Sequence, residues 1–244
     1  MSTVHKEGLP EVLVVVPARG GSKGLPRKNL VRIAGRNLIE YAAACIKGAS
    51  TPLHAVLSSD SAEILDWGVR CGIEIVRRPA YLAQDDSPVV DAVLHALEEM
   101  ERRHGTVYRI VVLLQPTSPF RTGADLDAVV QLCSEEGVDS VISVVEEDDH
   151  HPARMYRLRS GLLEPFLPAY ERARRQDIPP AYYRNGCFYA VRRESLMKSR
   201  QLITGRKKPY LMSRRWLCNI DDQRDLMLAE LMAPQWLREV GLFS

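Results

Sequence analysis

Short runs of branched apolar residues recur along this chain, each followed by a stretch in which apolar residues return every three or four positions, and that alternation limits the folds open to it. Residues 12–16, Val-Leu-Val-Val-Val, form a continuous apolar run before Pro17, as a strand buried on both faces requires. Across 37–47 the residues Leu38, Ile39, Ala42, Cys45 and Ile46 share one helical face. Ala55-Val56-Leu57 runs into Ser58-Ser59-Asp60-Ser61, a strand followed by helix-capping residues ahead of a helix over 62–71. Gly72 stops that helix, 73–76 is the next strand, and Ser87-Pro88 opens a helix with Val89, Val90, Val93, Leu94 and Leu97 on one face. The most apolar strand, 110–114, ends at Gln115-Pro116-Thr117-Ser118-Pro119, because prolines cannot continue a ladder. A helix over 124–135 and a strand over 140–145 complete the series.

Such alternation implies βαβ units, hence an α/β fold with a Rossmann-like, mostly parallel sheet and helices on both faces. Ligands of these sheets sit at the carboxyl ends of the strands, so the loops at Pro17, Ser58, Arg77 and Gln115 are expected to line one cleft. From 146 to 183 the rhythm breaks into a segment rich in proline, arginine and aromatic residues, an excursion that returns to the core over 186–191. A leucine-rich helix over 226–237 follows Asp221-Asp222. The 244 residues, 45% of them hydrophobic, can bury one large core, so a single domain over 1–244 is expected.

Charge is concentrated in one loop. The net charge of +2 excludes the broad basic footprint of a nucleic-acid binder. Between Glu11 and Glu40, however, there is no acid, while Arg19, Lys23, Arg27, Lys28, Arg32 and Arg36 all fall there. The stretch from Pro17 to Asn29 carries three of the glycines, and backbone amides of a glycine-rich turn can approach an anion closely while lysine and arginine supply charge. It suits polyphosphate. It matches neither the P-loop nor the G-x-G-x-x-G fingerprint, and the competing reading is a basic surface loop. The five cysteines are odd in number, widely spaced and without a C-x-x-C pair, which predicts reduced thiols in a cytoplasmic protein. Residues 1–10 lack an apolar core, and no apolar run approaches ~18 residues, so neither a signal peptide nor a membrane span is expected.

Five motifs, in order, carry a resemblance: Pro-Ala-Arg-Gly-Gly-Ser-Lys-Gly-Leu-Pro-Arg-Lys-Asn over 17–29; Arg77-Arg78-Pro79; 113–121, Leu-Leu-Gln-Pro-Thr-Ser-Pro-Phe-Arg; Arg175-Gln176-Asp177 with Asn185-Gly186; and Ile220-Asp221 with Asp225. Together they resemble the CMP-sialic acid synthetases, or acylneuraminate cytidylyltransferases. The resemblance implies transfer of CMP from CTP to the anomeric hydroxyl of a nine-carbon 2-keto-3-deoxy sugar acid, with release of pyrophosphate. It also implies Mg²⁺ and a homodimer whose contact and part of whose sugar site come from the 146–183 excursion, with no nucleic-acid or membrane partner. Arg19, Lys28 and Asp221 would be catalytic. Ala18, Arg19, Gly20, Gly21, Ser22, Lys23, Asn29, Arg78, Asp85 and Ser87 would contact the nucleotide. Gln115, Arg175, Asn185 and Tyr189 would surround the sugar, with Arg175 suited to its carboxylate.

Two departures stand out. The Asp-Ile-Asp of the family reads Asn219-Ile220-Asp221, so one ligand of the implied metal site is neutral. At positions that resemble an aromatic pair offered by the partner subunit, this chain has Leu202 and Ile203. A changed sugar wall leaves legionaminic and pseudaminic acids open beside N-acetylneuraminic acid. A phosphonate or other keto acid acceptor also stays open, as does a silent CTP-binding regulator suggested by Asn219.

Overall fold

The computed structural model describes residues 11–22 and 24–242. In chain order the strands and helices are β1 (Val12–Pro17), the hairpin β2 (Arg32–Ile33) and β3 (Arg36–Asn37), α1 (Leu38–Lys47), β4 (His54–Ser59), α2 (Ala62–Arg70), β5 (Glu74–Arg77) and α3 (Val89–His104). They continue with β6 (Ile110–Leu113), α4 (Gly123–Ser134), β7 (Ser140–Glu147), the hairpin β8 (Tyr156–Arg159) and β9 (Leu162–Pro165), β10 (Ala181–Arg192), α5 (Arg193–Ser199), β11 (Lys207–Leu211) and α6 (Gln223–Glu239).

Seven strands form the main sheet in the order β11-β7-β10-β6-β1-β4-β5. β10 runs antiparallel to both neighbours and every other pairing is parallel, so the sheet is mostly parallel, as the sequence predicts. Alternation along β1 explains its two-sided burial. Val12, Val14 and Val16 pack with Ile39 and Ala42 of α1, Ile64 of α2 and Leu126 and Val129 of α4. Leu13 and Val15 pack on the other face with Val93, Leu97 and Met100 of α3 and Leu196 of α5. Burying a side chain of this size contributes about 1.5–3 kcal/mol, and every β1 residue from Val12 to Val16 is inside. A third cluster, built on Tyr41, Phe120, Trp236 and Ile220, docks α6 beside the β2–β3 hairpin.

Helices α1 to α4 start within a residue or two of the expected positions, α6 begins three residues early at Gln223, and the short α5 was not expected. Asn37, Thr122 and Asp222 each close a capping box with Glu40, Asp125 and Asp225. Ser61 caps α2 without a side-chain bond, and neighbouring Asp60 accepts a hydrogen bond from the Gly20 amide at 2.8 Å. The expected helix cap thus ties the end of β4 to the glycine loop. The antiparallel β10, which begins at Ala181 inside the expected excursion, was not legible from periodicity, and neither was edge strand β11.

Candidate active site

Chain order reverses between β1 and β6: from β1 the chain proceeds through α1 to β4 on one side, while β6 lies on the other. Loops leaving two such strands diverge and open a crevice at their carboxyl ends. A cavity of about 200 Å³ lies there, with Pro17, Arg19, Gly21, Lys28 and Asn29 on one wall, Arg78, Gln84, Asp85 and Ser87 on another, and Gln115 and Thr117 between. A second cavity of about 650 Å³ adjoins it, sharing Lys28, Gln115 and Thr117 and adding Tyr182, Tyr183, Arg184, Gly186, Tyr189, Asn219 and Asp221.

Within the first cavity the loop is held rather than loose. Asn29, buried, donates from Nδ2 to the Arg19 carbonyl at 3.0 Å, fixing the backbone from which Arg19 projects. Arg19 reaches across the cleft to the Gln84 carbonyl at 3.1 Å and the Asp85 carboxylate at 2.8 Å. Arg78 is 6% exposed and donates to the Ser58 hydroxyl and carbonyl, and burial lowers its pKa from the usual arginine value. Gly24 lies against the Asp221 carbonyl so closely that a Cβ would overlap it, bringing the loop onto the segment that carries Asp221. Across that junction Lys28 Nζ meets Asp221 Oδ1 at 2.8 Å.

The structure therefore gathers Arg19, Gly21, Asn29, Arg78, Asp85 and Ser87 in one cavity, Tyr189, Asn219 and Asp221 in the next, and Lys28 and Gln115 in both. Ala18 is buried beneath, its amide donating to the Ser58 carbonyl. Gly20 packs on Ser61, and half-exposed Ser22 lines neither cavity. Lys23 lies outside the described residues.

Four of the expected sugar-side residues, Asn185, Arg175, Leu202 and Ile203, lie apart from the second cavity of the same chain. Asn185 is 2% exposed and turned inward: its Oδ1 accepts from the Ser143 hydroxyl at 2.6 Å and the Cys187 amide, which leaves it holding β10 to β7. Arg175 lies in a different cavity, paired with Asp148 at 3.0 Å among Glu146, Glu147 and Asp149. Leu202 is buried in the core with Val191 and Leu196, and half-buried Ile203 lines neither cavity of the same chain.

Other residues emerge only in three dimensions. Between Arg184 and Tyr189 the β10 register slips against β7, with Arg184 opposite Val144 and Tyr189 opposite Ile142. Such a bulge re-aims side chains. At its centre Gly186 has φ of +78°, and a Cβ there would sit 3.0 Å from Ser118 Oγ and 3.2 Å from both Gln115 Oε1 and Asn219 Oδ1. Arg121, last residue of the third motif, is wholly inside: it donates to the Gln115 carbonyl at 2.6 Å and the Cys187 carbonyl at 3.3 Å, and the rest of its guanidinium has the Cys45 and Cys187 thiols beside it. It clamps the end of β6 to the bulge. Burial pushes the adjacent Cys45 and Cys187 thiols up to about 12 and about 11, keeping them neutral.

Among the described residues no three His, Cys, Asp or Glu side chains gather as a metal cage. Asp221 and Asn219 line the second cavity, the Asn219 Oδ1 already accepting from the Ser118 hydroxyl at 2.6 Å, and a Mg²⁺ that arrives with phosphates needs only one or two protein carboxylates, so the donor set fits such an ion. No described helix is long and apolar enough to cross a membrane.

A basic glycine loop at the switch point of a parallel sheet, sharing its wall with a second polar cavity, defines an α/β protein of the nucleotide-binding, Rossmann-like class. More specifically, the chain belongs to the cytidylyltransferase family, whose profile matches residues 13–231. It is 29% identical over 217 residues to the N-acylneuraminate cytidylyltransferase of Streptococcus agalactiae serotype III (strain NEM316), an alignment that takes in 88% of this chain and 51% of that protein. It thus spans about half the length of that relative. To the pseudaminic acid cytidylyltransferase of Campylobacter jejuni subsp. jejuni serotype O:23/36 (strain 81-176) it is 25% identical, over 90% of this chain and 95% of the relative. A solved structure of CMP:2-keto-3-deoxy-manno-octonic acid synthetase complexed with CTP matches with a TM-score of 0.69 at 16% identity, covering 92% of this chain and 99% of the other, which speaks for the fold alone. The resemblance drawn from the five motifs is borne out by these relatives.

Proposed function

We propose that this chain transfers CMP from CTP to the anomeric hydroxyl of a nine-carbon 2-keto-3-deoxy sugar acid. The observation that carries the reading is the pair of cavities meeting at Lys28, Gln115 and Thr117: one suited to a triphosphate, the other large and polar enough for a sugar acid. The acceptor hydroxyl gives up its proton to solvent, its oxygen bonds to the α-phosphorus as the bond to the bridging oxygen breaks, and pyrophosphate leaves. Catalysis of such a step is mostly alignment and stabilisation of charge on phosphate oxygens. Lys28 Nζ stands at the junction where that charge develops, and Arg19 reaches the same cleft from a backbone fixed by Asn29. Gln115 faces both substrates from the end of β6, held by Arg121. Mg²⁺, with Asp221 and Asn219 as its protein ligands, would neutralise phosphate charge.

The protein is proposed to work as a homodimer through the β8–β9 hairpin, where Leu158, Leu162 and Leu163 are 73%, 72% and 66% exposed, and to reside in the cytoplasm, where its five free cysteines stay reduced. Likeness to a protein named for pseudaminic acid favours that sugar as the second reading. The test is pyrophosphate release from CTP and Mg²⁺ with N-acetylneuraminic, legionaminic and pseudaminic acids. Release with one or more supports the reading and ranks the acceptors. CTP binding without release with any of them would sink it.

A further inference from the structure

The acceptor is an acid, and the second cavity has to recognise its carboxylate. Two cations line that cavity, Lys28 and Arg184. Lys28 is committed at the junction, paired with Asp221 at 2.8 Å. Arg184 is exposed, and among the described residues its guanidinium has neither a carboxylate nor a carbonyl partner. It stands immediately before the β10 bulge, which brings Arg184, Gly186 and Tyr189 to the same cavity while Asn185 and Cys187 turn into the core.

We propose that Arg184 takes the carboxylate of the acceptor sugar, in the place that motif resemblance gives to Arg175. Arg175 pairs with Asp148, and the cavity it lines carries four carboxylates, Glu146, Glu147, Asp148 and Asp149, against the two guanidiniums of Arg154 and Arg175, a surround less favourable to an anion. Arg184 has the opposite setting. Arg184 lines the same cavity as Tyr189, whose hydroxyl burial raises in pKa while the Arg184 charge opposes the rise. A guanidinium holds a carboxylate through two parallel N–H donors, a fixed fork that would set the sugar's C1–C2 axis and so aim the anomeric hydroxyl toward the Lys28 end of the cavity.

This inference rests on the proposed function, and the experiment separates the two. Pyrophosphate release is measured at saturating CTP against sugar acid concentration for the full chain and for Arg184→Gln, Arg184→Lys and Arg175→Gln. Arg184→Gln is expected to raise the acceptor KM about 10- to 100-fold, the worth of hydrogen bonds to a charged group. The CTP KM and the CTP-induced shift in melting temperature stay at the unsubstituted protein's values, which also reports that the variant is folded. Arg184→Lys recovers only part of the loss, because a lysine cannot offer the fork. A methyl ester of the sugar acid binds the unsubstituted protein as poorly as the acid binds Arg184→Gln, and the two losses do not add. An active protein whose acceptor KM is unmoved by Arg184→Gln, or moved instead by Arg175→Gln, overturns the inference alone. A protein that releases no pyrophosphate with any sugar acid overturns the proposed function, and the inference with it.

Discussion

At the residue scale, three positions carry separable jobs. Lys28 is 18% exposed and its partner Asp221 is 73% exposed, so their ion pair contributes about 0–1 kcal/mol to folding. Lys28→Ala is therefore expected to leave the melting temperature nearly unchanged while lowering kcat by about 10²-fold or more, the loss typical of removing a group that stabilises transition-state charge. Steady-state kinetics beside calorimetry decides it, and equal turnover would remove Lys28 from that role. Gly186 answers to geometry. At φ of +78° an alanine costs about 1–2 kcal/mol in the backbone alone, and its methyl would enter the gap between Ser118, Gln115 and Asn219. Gly186→Ala should melt earlier and lose activity together. Asn219 accepts from the Ser118 hydroxyl at 2.6 Å, a bond that an aspartate keeps. Asn219→Asp restores a negative charge and should lower the Mg²⁺ concentration needed for CTP to raise the melting temperature; an identical titration would show that the position does not touch metal.

At the element scale, the telling contrast lies between strands. β1 is sheathed on both faces, whereas the β8–β9 hairpin is exposed at every position except Pro165, which is half-buried. A two-stranded ribbon is marginal by itself and needs a hydrophobic surface to cover it. Replacing Leu158, Leu162 and Leu163 with serine should shift the protein to half its mass in sedimentation equilibrium, with β1 and its core untouched. A protein that stays at one mass with and without those leucines would end the hairpin's claim to the interface. The bulge in β10 belongs at this scale too. Tyr189 and Arg184, five residues apart and so on opposite faces of a regular strand, line the same cavity across the register slip between them.

At the scale of the whole molecule, acid stability depends on groups far from the cleft. His54 on β4 stacks on His104 of α3 at 4.1 Å and shares a 2.7 Å hydrogen bond with the Tyr108 hydroxyl, with Glu74 of β5 opposite. Burial, reinforced by the His104 ring, lowers the His54 pKa from 6.5, against Glu74, which raises it. The unfolded chain therefore takes up a proton at His54 before the folded one does, so stability is full above about pH 6.5 and falls as pH drops toward the lower folded value. The depressed Asp139 and Glu147 carboxylates act lower, near and below the ordinary carboxylate range. Melting temperature should thus decline between pH 7 and 5, and His54→Gln should flatten that decline. A decline unchanged by the substitution would acquit His54.

How much of this was legible follows from the same scales. Residues 12–16 announce a two-sided strand because their composition satisfies only that environment, and the acid-free window from Glu11 to Glu40 marks an anion loop because charge density is a local property. Asn37 and Thr122 cap helices through partners three residues on, which the sequence also holds. The excursion's ends were blurred, since β10 begins at Ala181 amid prolines and tyrosines that carry no period. By itself, then, the sequence determined the mostly parallel sheet, the glycine loop and its family, all of which rest on local propensity and ordered motifs. The tertiary structure decided that Asn185 turns inward, that Arg175 pairs with Asp148, that Leu202 joins the core and that Arg184 reaches the cavity. The reason is that a side chain's direction in β10 depends on a register slip against β7, and an arginine's freedom depends on which acids the fold brings beside it.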